Sequence, residues 1–160
     1  MRPVVVSQSL DVPVPQGASF ARTLPMPITE LFNKWYGPFP PIKAVDQHSP
    51  GVWGSVGQSR TLKLTGGGSV LETLTHVDGP TSFGYTLTDI KGPMEVLVSH
   101  IEGAWTFASA GSGTLITWQW TVHPKYAVTA PLVPALGMMW NGYARQVLRS
   151  LSGYLQGATV

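Results

Sequence analysis

Polar and apolar positions alternate along most of this chain, and the alternation is clearest at residues 115–122, "LITWQWTV". Successive strand side chains point to opposite faces, so Ile116, Trp118, Trp120 and Val122 share one face while Leu115, Thr117, Gln119 and Thr121 share the other. The same period places a first strand over residues 4–12, with Val4, Val6, Gln8, Leu10 and Val12 on one side. Further strands are predicted at 44–48, 56–64, 70–78, 81–89, 96–108 and 114–123, the sixth with a bulge at Gly103. Gly66, Gly67 and Gly68 supply the positive-φ positions of a hairpin turn between the third and fourth. Asp78-Gly79-Pro80, Lys91-Gly92-Pro93 and the stretch 109–113 mark the later turns.

The period changes in two places. Residues 18–24 suit a short helix that must stop at Pro25; Ile28, Leu31, Phe32 and Trp35 then follow the i, i+3, i+4, i+7 spacing of a second, ended by Gly37-Pro38. From about 132 to 156, Leu136, Trp140, Ala144, Val147, Leu148, Leu151 and Leu155 form one stripe, opposite Arg145, Arg149, Ser152 and Gln156. That is an amphipathic helix roughly 37 Å long. Its stripe needs a surface, and a sheet is the one large enough. The predicted class is α+β: about seven antiparallel strands, two short helices after the first, and one long C-terminal helix. No repeat or linker divides residues 1–160, so they read as one ligand-binding domain.

Composition narrows the chemistry. With no cysteine among 160 residues, disulfides, thiolate metal sites and thiol nucleophiles are excluded. The start "MRPVVVSQSLD" lacks a secretory apolar core, and no run approaches the ~20 apolar residues of a membrane span, so a cytoplasmic protein without integral membrane contact is expected. Ten Lys and Arg against eight Asp and Glu are scattered along the chain, which argues against a nucleic-acid partner. Six tryptophans in a chain with 11% charged residues suggest more apolar wall than a plain core needs. The glycine run lacks the Gly-Lys-Ser/Thr and helix start of a phosphate loop, and no serine sits in a nucleophile elbow.

The element order, with "GQSR" at 57–60, "GGGSVLET" containing Glu72, "DGPTSFGYTL" containing Tyr85, and "GSGTLITWQWTVHP" before the last helix, resembles the helix-grip superfamily. This is the START-like, Bet v 1-like superfamily (SRPBCC), and within it the bacterial polyketide cyclase/dehydrase and lipid-transport family. The resemblance implies a curved sheet wrapped around the long helix, with a hydrophobic cavity between them for lipids, polyketides or sterols. It implies no fixed catalytic set and no cofactor; the family's recurring arginine and glutamate match Arg60 and Glu72.

If the hairpin centres on Gly66, Arg60 faces Glu72 and Leu62 faces Val70, with opposed Cβ atoms ~4.5–5.5 Å apart. Strict alternation then sends Arg60, Glu72, Leu74 and His76 inward. Such a pair can be a rim ion pair, a framework pair in a cavity, or a direct ligand or catalytic contact. Glu72 and His76 are the candidate proton-transfer groups, His76 weighed against an ordinary exposed strand histidine. His48, His100 and His123 show no metal-ligand spacing, and no metal site is expected. Candidate ligand contacts are Arg60, Glu72, Tyr85, Trp105, Phe107, Trp118, Trp120, Met139 and Tyr143, each weighed against plain core packing. The helix end and the segment 36–43 are expected to form the mouth. The leading expectation is binding or transport of a hydrophobic small molecule by a monomer or homodimer. A cyclase- or dehydratase-like enzyme, and a ligand-free interaction module with a collapsed interior, are the alternatives.

Overall fold

The period-2 stretches fold into seven antiparallel strands of one curved sheet in a computed structural model that describes residues 1–157. They are β1 (Val4–Val12), β2 (Ile42–Gln47), β3 (Ser59–Leu64), β4 (Ser69–Asp78), β5 (Ser82–Lys91), β6 (Val98–Ala110) and β7 (Gly113–Pro124). The spatial order is β1-β7-β6-β5-β4-β3-β2, so the last strand pairs with the first and the other neighbours are consecutive hairpins. Two short helices, α1 (Gln16–Thr23) and α2 (Ile28–Leu31), carry the chain from one edge strand to the other. A 25-residue helix, α3 (Val133–Gly157), closes the fold. Among the described residues no helix is long and apolar enough to cross a membrane.

The predicted stripe of α3 is buried along its whole length, from Leu136 to Leu155. It lies on β1 and the adjoining part of β7, where Gly137 lets the backbones close: a Cβ there would stand 3.1 Å from both Val4 and Val6. Beside it, α1 inserts Phe20 edge-on against Phe83 and Phe107.

Three local predictions need correction. The second helix is a single turn: the N–H of Phe32 still bonds to Ile28, but its carbonyl accepts from Ile42 at the start of β2, and helix continuation ends there. Trp35 is left 56% exposed and does not form a fourth buried position. Gly103 is not bulged; it pairs in register with Tyr85 and with Trp120. The register instead shifts between Ile42 and Ala44, Ser69 and Leu71, Leu74 and His76, and Val98 and His100. Finally, β3 begins at Ser59, not near 56, because residues 49–58 wrap the side chain of Gln58. Its Oε1 accepts the N–H groups of Gly54 (2.7 Å) and Ser55 (2.8 Å), and its Nε2 donates to Pro50 and Val52.

Candidate functional site

The tryptophans of the 115–122 stretch meet two different surroundings. Trp118 stacks on Trp105 of the neighbouring strand, with ring centroids 5.0 Å apart and planes within 9°. On the α3 side, Trp118 and Trp120 pack against Trp140 at 5.0 and 5.6 Å. On the other side, both face a largely apolar cavity of about 280 Å³. The cavity exists because α3 lies towards β1 and β7 and leaves the inner face of β3–β5 uncovered except where Phe20 of α1 meets Phe83. Among the described residues of α3, Tyr143 alone reaches the cavity wall. Segment 35–42, Met26, Ile28, Phe32 and Trp53 supply the remaining wall opposite the sheet. The mouth lies where exposed Trp35, Pro38, Gly66, Lys91 and Pro93 line the cavity. Segment 36–43 therefore contributes to the opening, whereas among the described residues neither end of α3 does. The turn between β3 and β4 and the 3-10 turn Pro93–Val96 take the place predicted for them.

Tyr85 is the organising polar group. Its inward ring crosses the strand pair at Gly103, where a Cβ would collide with it at 2.1 Å. Its oxygen then accepts both indole N–H groups, from Trp118 at 2.9 Å and Trp120 at 3.0 Å. Two accepted bonds occupy both lone pairs of a phenol oxygen, so Tyr85 can act further only by donating its own hydrogen. Among the described residues that hydrogen has no protein acceptor. Burial, and then the charge of Glu72, push the Tyr85 hydroxyl well above its ordinary range, with the indole donors pulling less strongly the other way. The phenol thus stays protonated.

Arg60 and Glu72 face each other in the register that the glycine turn dictates. Nε of Arg60 donates to Oε1 of Glu72 at 2.7 Å, both side chains about nine-tenths buried and both on the cavity wall. The guanidinium also lies 3.9 Å from the ring centroid of Trp53, a cation–π contact with its flat face. Among the described residues its two Nη groups have no hydrogen-bond partner. Burial raises the Glu72 carboxyl above the ordinary value; the charge and hydrogen bond of Arg60 offset only part of that. The reading as an outer-face ion pair is excluded by this burial.

Other candidates are placed as follows. His76 is exposed and bonded to Ser82 Oγ at 2.8 Å, contrary to the inward orientation predicted for it. The irregularity after Leu74 reverses the alternation: Leu74 pairs with inward Tyr85, but His76 pairs with Gly84 and Val77 with inward Phe83. Phe107 is core, not cavity wall, enclosed by Phe20 and Phe83. Met139 is 42% exposed on α3 and outside the cavity. Tyr143 is a wall residue, its ring stacked on Phe39 at 4.7 Å, its hydroxyl pushed up chiefly by burial. Sequence reasoning missed Trp53, and reached Phe39 only through segment 36–43 and Leu62 only through its pairing with Val70. The signal at Trp53 was a large ring inside "GVWGS", a loop otherwise built of small residues.

Solved structures place this arrangement in a known fold. The chain is similar to Ara h 8.0201 (19% identity, TM-score 0.73, covering 97% of this chain and 99% of that one). It is also similar to a point mutant of norcoclaurine synthase from Thalictrum flavum in complex with a transition-state analogue (14%, 0.73, 100% and 99%). A third is major latex-like protein 151 of Panax ginseng (14%, 0.68, 96% and 98%). At these identities the likeness concerns the fold. No curated protein matches the chain by sequence. Residues 4–156 match the family described as polyketide cyclase / dehydrase and lipid transport, and the chain therefore belongs to that family and to the Bet v 1-like helix-grip fold.

Proposed function

We propose that this protein binds a compact hydrophobic small molecule that carries a carbonyl or similar oxygen, and holds it non-covalently between the sheet and the segment 35–42. The observation that carries the reading is Tyr85: a buried phenol whose lone pairs are both occupied, left with one hydrogen and no protein acceptor, in a cavity otherwise walled by rings and aliphatic chains. Leaving a buried donor unpaired costs about 1–3 kcal/mol, and a ligand oxygen relieves it. The Nη groups of Arg60 offer a second set of donors on the same wall. Apolar burial supplies the affinity at roughly 25 cal/mol per Å². A volume of about 280 Å³ lies at the low end for ligand pockets, which favours one or a few fused rings over a long acyl chain.

The test uses the intrinsic tryptophan emission. Aromatic ketones, polyphenols, sterols and fatty acids are titrated into the protein, and native mass spectrometry of fresh preparations looks for a co-purifying molecule. Ring-bearing ketones are expected to quench saturably, and Tyr85→Phe to weaken them about tenfold while leaving a hydrocarbon of the same shape unchanged. Emission indifferent to the whole panel, with no retained molecule, would sink the proposal.

One observation favours a second reading, that the cavity catalyses cyclisation or dehydration of a poly-β-ketone. Glu72 is a cavity-wall carboxyl that burial raises above its ordinary value, the direction a general acid–base group requires. Glu72→Gln should then retain binding and lose turnover of such a substrate. The exposed position of His76 removes it from this chemistry. The open cavity speaks against a ligand-free module with a collapsed interior.

A further inference from the structure

On the outer face of the sheet, opposite the stacked tryptophans, β6 and β7 bring together three metal-ligating side chains far apart in sequence. His100 and Glu102 are two residues apart on β6 and so share that face; His123 is on β7. The irregularity after Val98 sets His100 directly across from His123; the register of Val98 with Pro124, continued unbroken, would have opposed His100 to Val122. The two imidazoles lie parallel, with centroids 4.1 Å apart and planes within 11°. Nε2 of His123 stands 2.5 Å from Oε1 of Glu102, and Ser99 Oγ holds Nδ1 of His100 at 3.0 Å. One ring nitrogen from each histidine and one carboxylate oxygen of Glu102 all lie within 4.8 Å of one another.

We infer that His100, Glu102 and His123 form a binding site for a divalent transition-metal ion of the zinc or copper type. Two imidazoles and one carboxylate are the donor set such ions take, at bonds near 2.0–2.2 Å. Tetrahedral bonds of that length put donor atoms about 3.3 Å apart, so the widest separation must close by up to about 1.5 Å while His123 Nε2 and Glu102 Oε1 part by about 0.8 Å. Both histidines are half-buried and Glu102 is exposed, which leaves the carboxylate the freedom to swing in. Binding replaces the His123–Glu102 contact and releases any proton that the imidazole carries. The Ser99 contact already orients one ligand ring, as outer partners do at metal sites. Three protein ligands leave a fourth position open. Glu102 also lines a shallow polar groove of about 200 Å³ with Gln119 and Thr121 beside the trio. The site is separate from the cavity, on the opposite face of the same two strands.

The experiment titrates untagged protein with Zn²⁺ alone, by calorimetry, and with Cu²⁺ alone, by electron paramagnetic resonance, while histidine ring resonances are followed by NMR. One equivalent should bind, with nitrogen hyperfine structure from two imidazoles, and the rings of His100 and His123 should shift while those of His48 and His76 do not. His100→Ala and His123→Ala should each weaken binding at least tenfold, and His48→Ala and His76→Ala should leave it unchanged. Glu102→Gln, which removes charge from an exposed side chain without loss of volume, provides a variant that keeps the fold and should also weaken the ion. Binding that survives both alanine variants, that spreads equally over all four histidines, or that is missing at millimolar metal would overturn the inference.

Discussion

Tyr85 holds two indole N–H groups with one oxygen, and the consequences of removing it follow from that count. In Tyr85→Phe both indoles lose their acceptor in a place where water enters only through the cavity. Unfolding in urea should show a loss of roughly 1–3 kcal/mol, accompanied by a shift in tryptophan emission that a remote Tyr→Phe change does not produce. Glu72 leads to a prediction with a definite sign. Its folded-state pKa lies above the ordinary value of 4.5, so its contribution to stability is fully present below about pH 4.5 and is lost as pH rises through the raised folded value. The stability of the native protein relative to Glu72→Gln should therefore fall as pH rises above about 4.5, as read from paired denaturation midpoints. A flat or rising difference would mean that the Arg60 charge outweighs burial at this carboxyl. The Arg60–Glu72 pairing was legible in the sequence because a glycine turn fixes which residues oppose each other close to it, and the error in counting grows only with distance from the turn.

At the scale of elements, that growth of error is visible. Strict alternation carries Glu72 and Leu74 to the inner face and would carry His76 there too, but one extra residue in β4 reverses every position after it. The irregularity in β6 does the opposite service by bringing His100 and His123 face to face. Neither leaves a mark in the residue types, since Thr75 and Ser99 are ordinary strand residues. Gly103 shows the converse: a glycine in a strand suggested a bulge, whereas the space above it is taken by the Tyr85 ring. Gly103→Ala should force that ring aside and break both indole bonds, costing about 1–3 kcal/mol or more. The same substitution in a Tyr85→Ala background should cost much less, and a double-mutant cycle by chemical denaturation measures the difference.

For the whole molecule, the question is how a chain with so many large apolar residues keeps a cavity beside its core. The long helix covers β1 and β7, α1 packs on β6 and β7 and reaches Phe83 of β5, α2 packs on β2, and the inner face of β3–β5 looks across at segment 35–42 without touching it everywhere. Enlarging a wall residue should therefore be tolerated where enlarging a packed one is not. Leu62→Phe should change stability by less than about 1 kcal/mol and abolish ligand quenching, whereas Ile116→Phe, fully enclosed in the core, should cost roughly 1–3 kcal/mol. The sequence by itself determined the number and order of strands, the long amphipathic helix and the inward face of the 115–122 strand, because periods of 2 and 3.6 are local properties of the chain. Only the tertiary structure decided which histidines face outward, which rings are wall and which are core, and that Trp53 reaches the arginine. Those outcomes depend on bulges, on loop closure around Gln58 and on the track that α3 takes across the sheet, each set by contacts between residues distant in the chain.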